Sequence, residues 1–181
     1  MDVTTRLLIH ITLLLLWCIS PQANGVEQRS DENLLKAVFI YNFAKFTRWP
    51  SDTWPENGAA LRICAIGNDE LSQALVRLNG RKVRELPVTI EHREERNDLD
   101  NCHLLYLARS MQHLMIEINE SIRTKPVLTV SEITDFSKQG GMIELYRINS
   151  RIRFKINLQA TREAGLDLSS RLLKLAVDVK R

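Results

Sequence analysis

The chain has 181 residues, with 25 basic and 22 acidic side chains and a formal net charge of +3. A charge this small, spread along the chain, argues against a nucleic-acid-binding surface, which needs clustered Lys and Arg. The sequence contains no repeat, low-complexity tract or polybasic run, so we expect one domain of ordinary size.

The first 25 residues predict a secretory signal peptide. The apolar run over residues 7–19 is shorter than the ~20 residues that a membrane-spanning helix needs. Ala23 and Gly25 are the small residues that a signal peptidase reads, and we place cleavage near Gly25. Residues 26–181 would then form a single domain outside the cytoplasmic membrane. An uncleaved membrane anchor is the alternative, and a lipoprotein is disfavoured because a bulky Trp precedes the cysteine of this segment.

Two cysteines, Cys64 and Cys102, remain after that cleavage. In an oxidising compartment, an even pair in a small domain predicts a disulfide. A bridge that closes a loop of about 39 residues would remove about 4 kcal/mol of unfolded-chain entropy. Two buried free thiols are the alternative, and the spacing of the pair matches no metal site.

Residues 31–49 predict a helix that ends before Pro50. Its apolar residues cover more than one stripe, and a helix of that kind is either buried on several sides in the core or meets a partner. The aromatic residues of this segment form the candidate surface for a partner or a second copy: Phe39, Tyr41, Phe43, Phe46 and Trp49.

From residue 61 onward, predicted strands and helices alternate. This alternation indicates a parallel sheet covered by helices on both faces, with an antiparallel hairpin at one edge, and therefore an α/β fold. A 2-1-3 order of the first three strands would place the two cysteines near each other. The predicted strands are 61–66, 87–91, 102–107, 126–130, 142–148 and 151–156. One predicted helix begins at 68–70, and further helices are predicted at 110–122, 158–164 and 169–179, with a short helical turn after Ser131.

The motif search finds no catalytic or cofactor-binding pattern. The glycine-rich loops that cradle phosphates and the nucleophile elbow are absent. His92, His103 and His113 stand at spacings that match no zinc site, and no free cysteine remains to act as a nucleophile. We therefore predict that the protein is not an enzyme and has no cofactor and no metal.

A small ligand could still bind at the carboxyl ends of the parallel strands, where open α/β sheets often hold one. Ordinary turn and capping chemistry is the alternative for the segments that follow those strands. These segments are Gly67-Asn68-Asp69, Ala108-Arg109-Ser110 and Ser131-Glu132.

The segment KAVFIYNFAKF at 36–46, followed by Trp49-Pro50, resembles the opening signature of the YfiR-like family of periplasmic proteins. The resemblance continues in order through most of the chain. Its further segments are ICAIG at 63–67, CHLLY at 102–106, VLTVS at 127–131, GGMI at 140–143, RFKINL at 153–158 and the stretch 166–176.

This resemblance implies a Rossmann-like three-layer α/β sandwich in the periplasm, often a dimer. It also implies a repressor that binds the periplasmic sensor region of a membrane diguanylate cyclase and lowers cyclic di-GMP synthesis. The two family cysteines correspond to Cys64 and Cys102. A periplasmic small-ligand-binding sensor or accessory domain is the alternative. The N-terminal signature corresponds to Tyr41, Asn42, Phe43, Phe46, Trp49 and Pro50.

Overall fold

The computed structural model describes residues 24–54, 60–93 and 99–181. Nearly all of the predicted signal peptide lies outside these ranges, so cleavage near Gly25 stays a prediction. The chain divides into two compact units, residues 1–31 and 32–181. Of the first unit, residues 24–31 are described, and they form the beginning of a helix.

That helix, α1, spans Asn24–Phe46, so it begins and ends earlier than predicted. The chain becomes extended at its end because β1 (Thr47–Arg48) pairs antiparallel with β9 (Asp167–Leu168). The Thr47 hydroxyl donates to the carbonyl oxygen of Phe43 at 2.7 Å and occupies one of the carbonyls at the helix end. The local sequence contains no sign of this distant pairing.

The main sheet has eight strands among the described residues, in the order β10-β8-β7-β6-β5-β2-β4-β3. Neighbouring strands are parallel except for the antiparallel pairs β7–β8 and β3–β4. The predicted α/β class, with a mostly parallel sheet and a C-terminal hairpin, is confirmed. The strands are β2 (Leu61–Ile66), β3 (Lys82–Val83), β4 (Leu86–Arg93), β5 (Leu104–Leu107), β6 (Leu128–Ser131), β7 (Ile143–Ile148), β8 (Arg151–Asn157) and β10 (Asp178–Lys180).

Both faces of the sheet are buried, which gives three layers. Along β5, Leu104 and Tyr106 join one apolar core while Leu105 and Leu107 join another, as the two-residue period of a strand requires. The first core includes residues of α1, α2, α4 and α5, and the second includes residues of α3. The helices after α1 are α2 (Glu70–Leu75), α3 (Met115–Ser121), α4 (Leu158–Glu163) and α5 (Ser170–Leu175).

The predicted disulfide is confirmed. Cys64 in β2 and Cys102 just before β5 are bonded, with their Cα atoms 5.9 Å apart. Strand β2 lies between β4 and β5, which is the 2-1-3 order of the first three predicted strands. Both cysteines are buried.

Two predicted helical segments are wrong in part. After Ser131, the chain forms turns rather than a helix, and the Ser131 hydroxyl accepts the Ile133 amide at 3.0 Å while donating to the Leu107 carbonyl at 2.7 Å. Helix α5 ends at Leu175 rather than at 179, because the chain then forms β10 beside β8. Strand β10 is thus the edge strand, and the hairpin lies one position further in.

No helix in the described ranges is both long enough and apolar enough to cross a membrane.

Candidate functional site

Charged and polar side chains gather at the carboxyl ends of the parallel strands, in three groups that are each joined by hydrogen bonds or ion pairs. We call this set the carboxyl-edge network. It brings together all three segments that the sequence nominated for ligand binding, and adds side chains from α1 and β7. Its members are Glu32, Asn33, Lys36, Asp69, Glu70, Tyr106, Arg109, Glu132 and Arg147.

Lys36 is the centre of the network and is only 5% exposed. Its ammonium lies 2.7 Å from Oε1 of Glu32 and 2.7 Å from Oε1 of Glu132. Glu132, with a side chain 6% exposed, also accepts from Arg109 at 3.1 Å, and Glu32 meets Arg147 at 2.8 Å. A buried charge is tolerated only when it is paired, and here each buried charge has two partners.

The charges set the ionisation of Glu32. Burial opposes ionisation, but the hydrogen bond and the charge of Lys36, with those of Arg147 and Arg109, outweigh it. The pKa of Glu32 therefore lies below its ordinary value, and this carboxylate is ionised at neutral pH. The ion pairs thus connect α1 to the loops after β5 and β6 and to β7.

Asp69 has two structural roles at the same edge. One carboxylate oxygen accepts the Ser72 amide at 2.7 Å and caps α2, and the other accepts the Tyr106 hydroxyl at 2.8 Å. Burial and the Asp69 charge raise the pKa of Tyr106 well above its ordinary range, so the phenol stays a neutral donor. Asn33 donates to Glu70 at 2.8 Å, which brings α1 to the first turn of α2.

The loops after β2 and β5 are packed against each other. A methyl group placed on Gly67 would lie 2.8 Å from Cγ of Met111 and 2.9 Å from Oγ of Ser110, and Gly67 has φ +83°. Only glycine fits this close approach with a positive φ. Side chains of the loop after β5 thus lie directly against Gly67, at the end of the sheet where folds of this type often hold a ligand.

The five aromatic residues predicted as a partner surface differ in exposure. Phe43 and Trp49 are buried in the first core, and the Phe43 ring packs edge-on against Phe154 at 4.9 Å. Phe39, Tyr41 and Phe46 are half-buried. Packing roles are therefore established for Phe43 and Trp49, and a partner role for any of the five stays a prediction.

The outward side of α1 carries two aliphatic residues that the prediction did not single out. Leu35 is 49% exposed and Val38 is 38% exposed. They lie three residues apart, so they share one side of the helix, opposite the buried Ala37, Ile40 and Ala44. In the sequence, these two residues fall on the side of the helix away from the three buried ones. This helical spacing is the signal that could have identified them as exposed.

His103 is a packed histidine. Its Nδ1 accepts the Arg62 amide at 3.0 Å, and its ring stacks on Trp54 with centroids 4.5 Å apart. Burial, with a smaller effect of the Arg62 charge, lowers the pKa of His103 to about 4, so the ring is neutral at physiological pH. Within the described part of the chain, no three His, Cys, Asp or Glu side chains converge as a metal site would require.

The model of the YfiR/HmsC-like family matches residues 33–177. The chain belongs to this family. The matched range contains the disulfide, the aromatic residues of α1 and every member of the carboxyl-edge network except Glu32. Proteins of the YfiR/HmsC-like family are periplasmic and have a regulatory role in cyclic di-GMP signalling.

Among solved structures, the chain is similar to a conserved domain protein from Vibrio cholerae O1 biovar El Tor strain N16961. The two are 10% identical, with a TM-score of 0.47. The match covers 66% of this chain and 55% of the Vibrio chain, so it spans little more than half of that protein.

Proposed function

We propose that this protein binds the periplasmic sensor region of a membrane diguanylate cyclase, or of a similar membrane signalling protein, and represses it. Membership of the YfiR/HmsC-like family supports the regulatory class. The observation that carries the proposal is the outer face of α1, which we define by Leu35 and Val38. These aliphatic side chains are exposed on a helix whose other described apolar residues are buried or half-buried.

A repressor of this kind needs no catalytic residues, because it acts by binding alone. It acts only if it binds the inactive state of its partner more tightly than the active state. The requirement is a surface of fixed shape, because a preformed surface loses less conformational entropy on binding.

Helix α1 satisfies that requirement because contacts along its length hold it in place. Lys36 pairs with Glu132 at 2.7 Å, and the Tyr41 hydroxyl donates to the Lys82 carbonyl at 2.6 Å. The ring of Phe39 lies 6.3 Å from that of Phe154 in β8, which belongs to the first core. These contacts hold the part of α1 that carries Leu35 and Val38 against the rest of the fold.

The test is site-specific photocrosslinking in the native host, with the full-length gene. A photoreactive residue replaces Leu35, and a matched one replaces Ile116, which is exposed on α3 at the opposite face of the sheet. We expect the Leu35 position to crosslink to a membrane protein that contains a diguanylate cyclase domain, and the Ile116 position not to.

Two results would contradict the placement on α1. The first is a crosslink to the cyclase from position 116 but not from position 35. The second is a crosslink from position 35 only to another copy of this chain, since the outer face of α1 would then be the interface of a homodimer.

The alternative function, a periplasmic small-ligand-binding sensor or accessory domain, has a separate basis. Its basis is a half-open pocket of about 200 Å³ at the other edge of the sheet, lined by residues that include Thr129 and Lys180.

A further inference from the structure

Strand β10 (Asp178–Lys180) is the last strand of the main sheet and has an open side. It pairs parallel with β8 on one side and has no strand on the other side within the described part of the chain. The family model ends at residue 177, so the family match does not cover this strand. An open strand presents unpaired backbone N–H and C=O groups, to which another strand can bind.

The pairing pattern identifies which backbone groups are open. The Asn157 amide donates to the carbonyl of Met142, next to β7, at 2.8 Å, and successive residues of a strand direct their backbone groups to opposite sides. Those of Ile156 are therefore directed to β10, where Val179 is its partner in the register. In a parallel pair, a residue bonded to the neighbouring strand has a partner whose groups are directed away. The N–H and C=O of Val179 are thus left on the open side.

The residues on either side of Val179 have opposite charges, Asp178 before it and Lys180 after it, and both are exposed. When a second copy of β10 lies antiparallel across a two-fold axis at Val179, each Asp178 is directly opposite a Lys180 of the second copy. The two Val179 residues then exchange a pair of N–H···O=C bonds. Unlike charges directly opposite each other stabilise an antiparallel pair, whereas an in-register parallel pair would place like charges side by side. The sequence of β10 is therefore complementary to itself in one orientation.

The chain just before β10 adds exposed aliphatic side chains. Leu175, at the end of α5, is 63% exposed, and Val177 is 60% exposed. Val179 itself is half-buried and packs against the first core. A second copy on the open side would remove part of this apolar surface from water, which favours association. The opposite charges would fix the register, and the apolar side chains would add to the affinity.

We infer that the protein forms a two-fold symmetric dimer in which β10 pairs antiparallel with β10 of a second copy, with Val179 on the axis. A contact of this kind uses the same surface of both chains and is closed, so it joins two sheets and leaves no open side at β10. The inference goes beyond the repressor proposal and does not depend on it, because no residue of α1 contributes to the contact.

Charge reversal tests the pairing, with sedimentation velocity on protein recovered from the periplasm of cells that express the full-length gene. We expect a concentration-dependent dimer for the wild type. Asp178→Lys and Lys180→Asp each place like charges opposite each other at two positions, and each should raise the dissociation constant about tenfold. The double variant restores both unlike pairs and should dimerise about as tightly as the wild type. Lys45→Asp, the same charge change at an exposed position of α1, should have no effect.

Single cysteines test the register. The two Val179 Cα atoms would lie about 5.5 Å apart, a distance that a disulfide spans, so Val179→Cys should give a disulfide-linked dimer on a non-reducing gel. Val177→Cys is the matched control, because the two copies of residue 177 would be about 14 Å apart along the strands. It should not crosslink, although Val177 is the more exposed of the two positions.

The inference is overturned if the wild type is a monomer at every concentration, or if the double variant dimerises as weakly as the two single variants. It is also overturned if Val177→Cys crosslinks as readily as Val179→Cys, or if a dimer forms that neither charge reversal weakens, because the contact then lies elsewhere. A monomeric wild type leaves the repressor proposal unaffected, and a failed crosslink at Leu35 leaves this inference unaffected.

Discussion

At the scale of single residues, His103 shows how burial converts a titratable group into a structural one. Its imidazole accepts a hydrogen bond from the Arg62 backbone amide and stacks on the ring of Trp54. The backbone carbonyl of His103 accepts a hydrogen bond from the Trp49 indole N–H at 3.1 Å. The neutral ring fits these contacts, whereas a protonated ring could not accept at Nδ1.

Acid should therefore destabilise the protein through His103. The pKa is about 4 in the folded protein and about 6.5 in the unfolded chain, so the unfolded state takes up the proton first. The stabilisation is fully present above pH ~6.5 and is lost as the pH falls towards ~4, by about 3 kcal/mol in all. Urea unfolding across this range should show that loss in the wild type and a shallower profile in His103→Gln, in which carboxylates with lowered pKa values such as Glu32 still lose stabilisation as the pH nears ~4.

The exposed His113 supplies the control, since His113→Gln should keep the wild-type slope. If the His103→Gln and wild-type profiles fall in parallel between pH ~6.5 and ~4, His103 is not the group responsible.

At the scale of secondary-structure elements, the long buried strands were easier to predict from the sequence than the short strands at the edges. The predicted strands 61–66 and 102–107 are mostly apolar, as strands buried on both faces are, and the structure has strands at Leu61–Ile66 and Leu104–Leu107. Strands β9 and β10 have two and three residues and are specified by their partners β1 and β8, so their own sequences carry little signal. The same reason explains the early end of α1.

The carboxyl-edge network could be predicted only in part. The rule that ligand and loop chemistry gathers at the carboxyl ends of parallel strands nominated Asp69, Arg109 and Glu132. It could not nominate Lys36, which is 96 residues from Glu132 in the chain and reaches it only because α1 crosses that edge. Side-chain pairing over such a separation depends on the packing of the finished fold.

Removing the Lys36 charge should loosen α1 from the sheet edge. Lys36→Met leaves Glu132, with a side chain 6% exposed, without its closest cation. We expect a loss of about 3 kcal/mol in the free energy of unfolding, as for other broken buried ion pairs. Urea unfolding measures it, and Lys174→Met at an exposed site should change stability by less than about 0.5 kcal/mol.

Adding Glu132→Gln to Lys36→Met should recover part of that loss, because it removes the uncompensated charge. A Lys36→Met protein as stable as Lys174→Met would show that the ion pair does not hold α1.

At the scale of the whole molecule, the carboxyl edge and the outer face of α1 are separate features of one helix. Ion pairs at the carboxyl edge hold α1 against the sheet, and the outer face of α1 is the surface that we propose for a partner. Binding there represses the partner only if its inactive state is bound more tightly than its active state.

The most direct test of the central claim is the cyclic di-GMP content of the native host, with this gene deleted and then restored. We predict that cyclic di-GMP rises on deletion and that the wild-type gene returns it to normal. A Leu35→Asp gene should fail to do so at equal protein level, whereas a gene with Ile116→Asp, the same change at an exposed residue of α3, should succeed. Unchanged cyclic di-GMP on deletion, or full restoration by Leu35→Asp, would contradict the account.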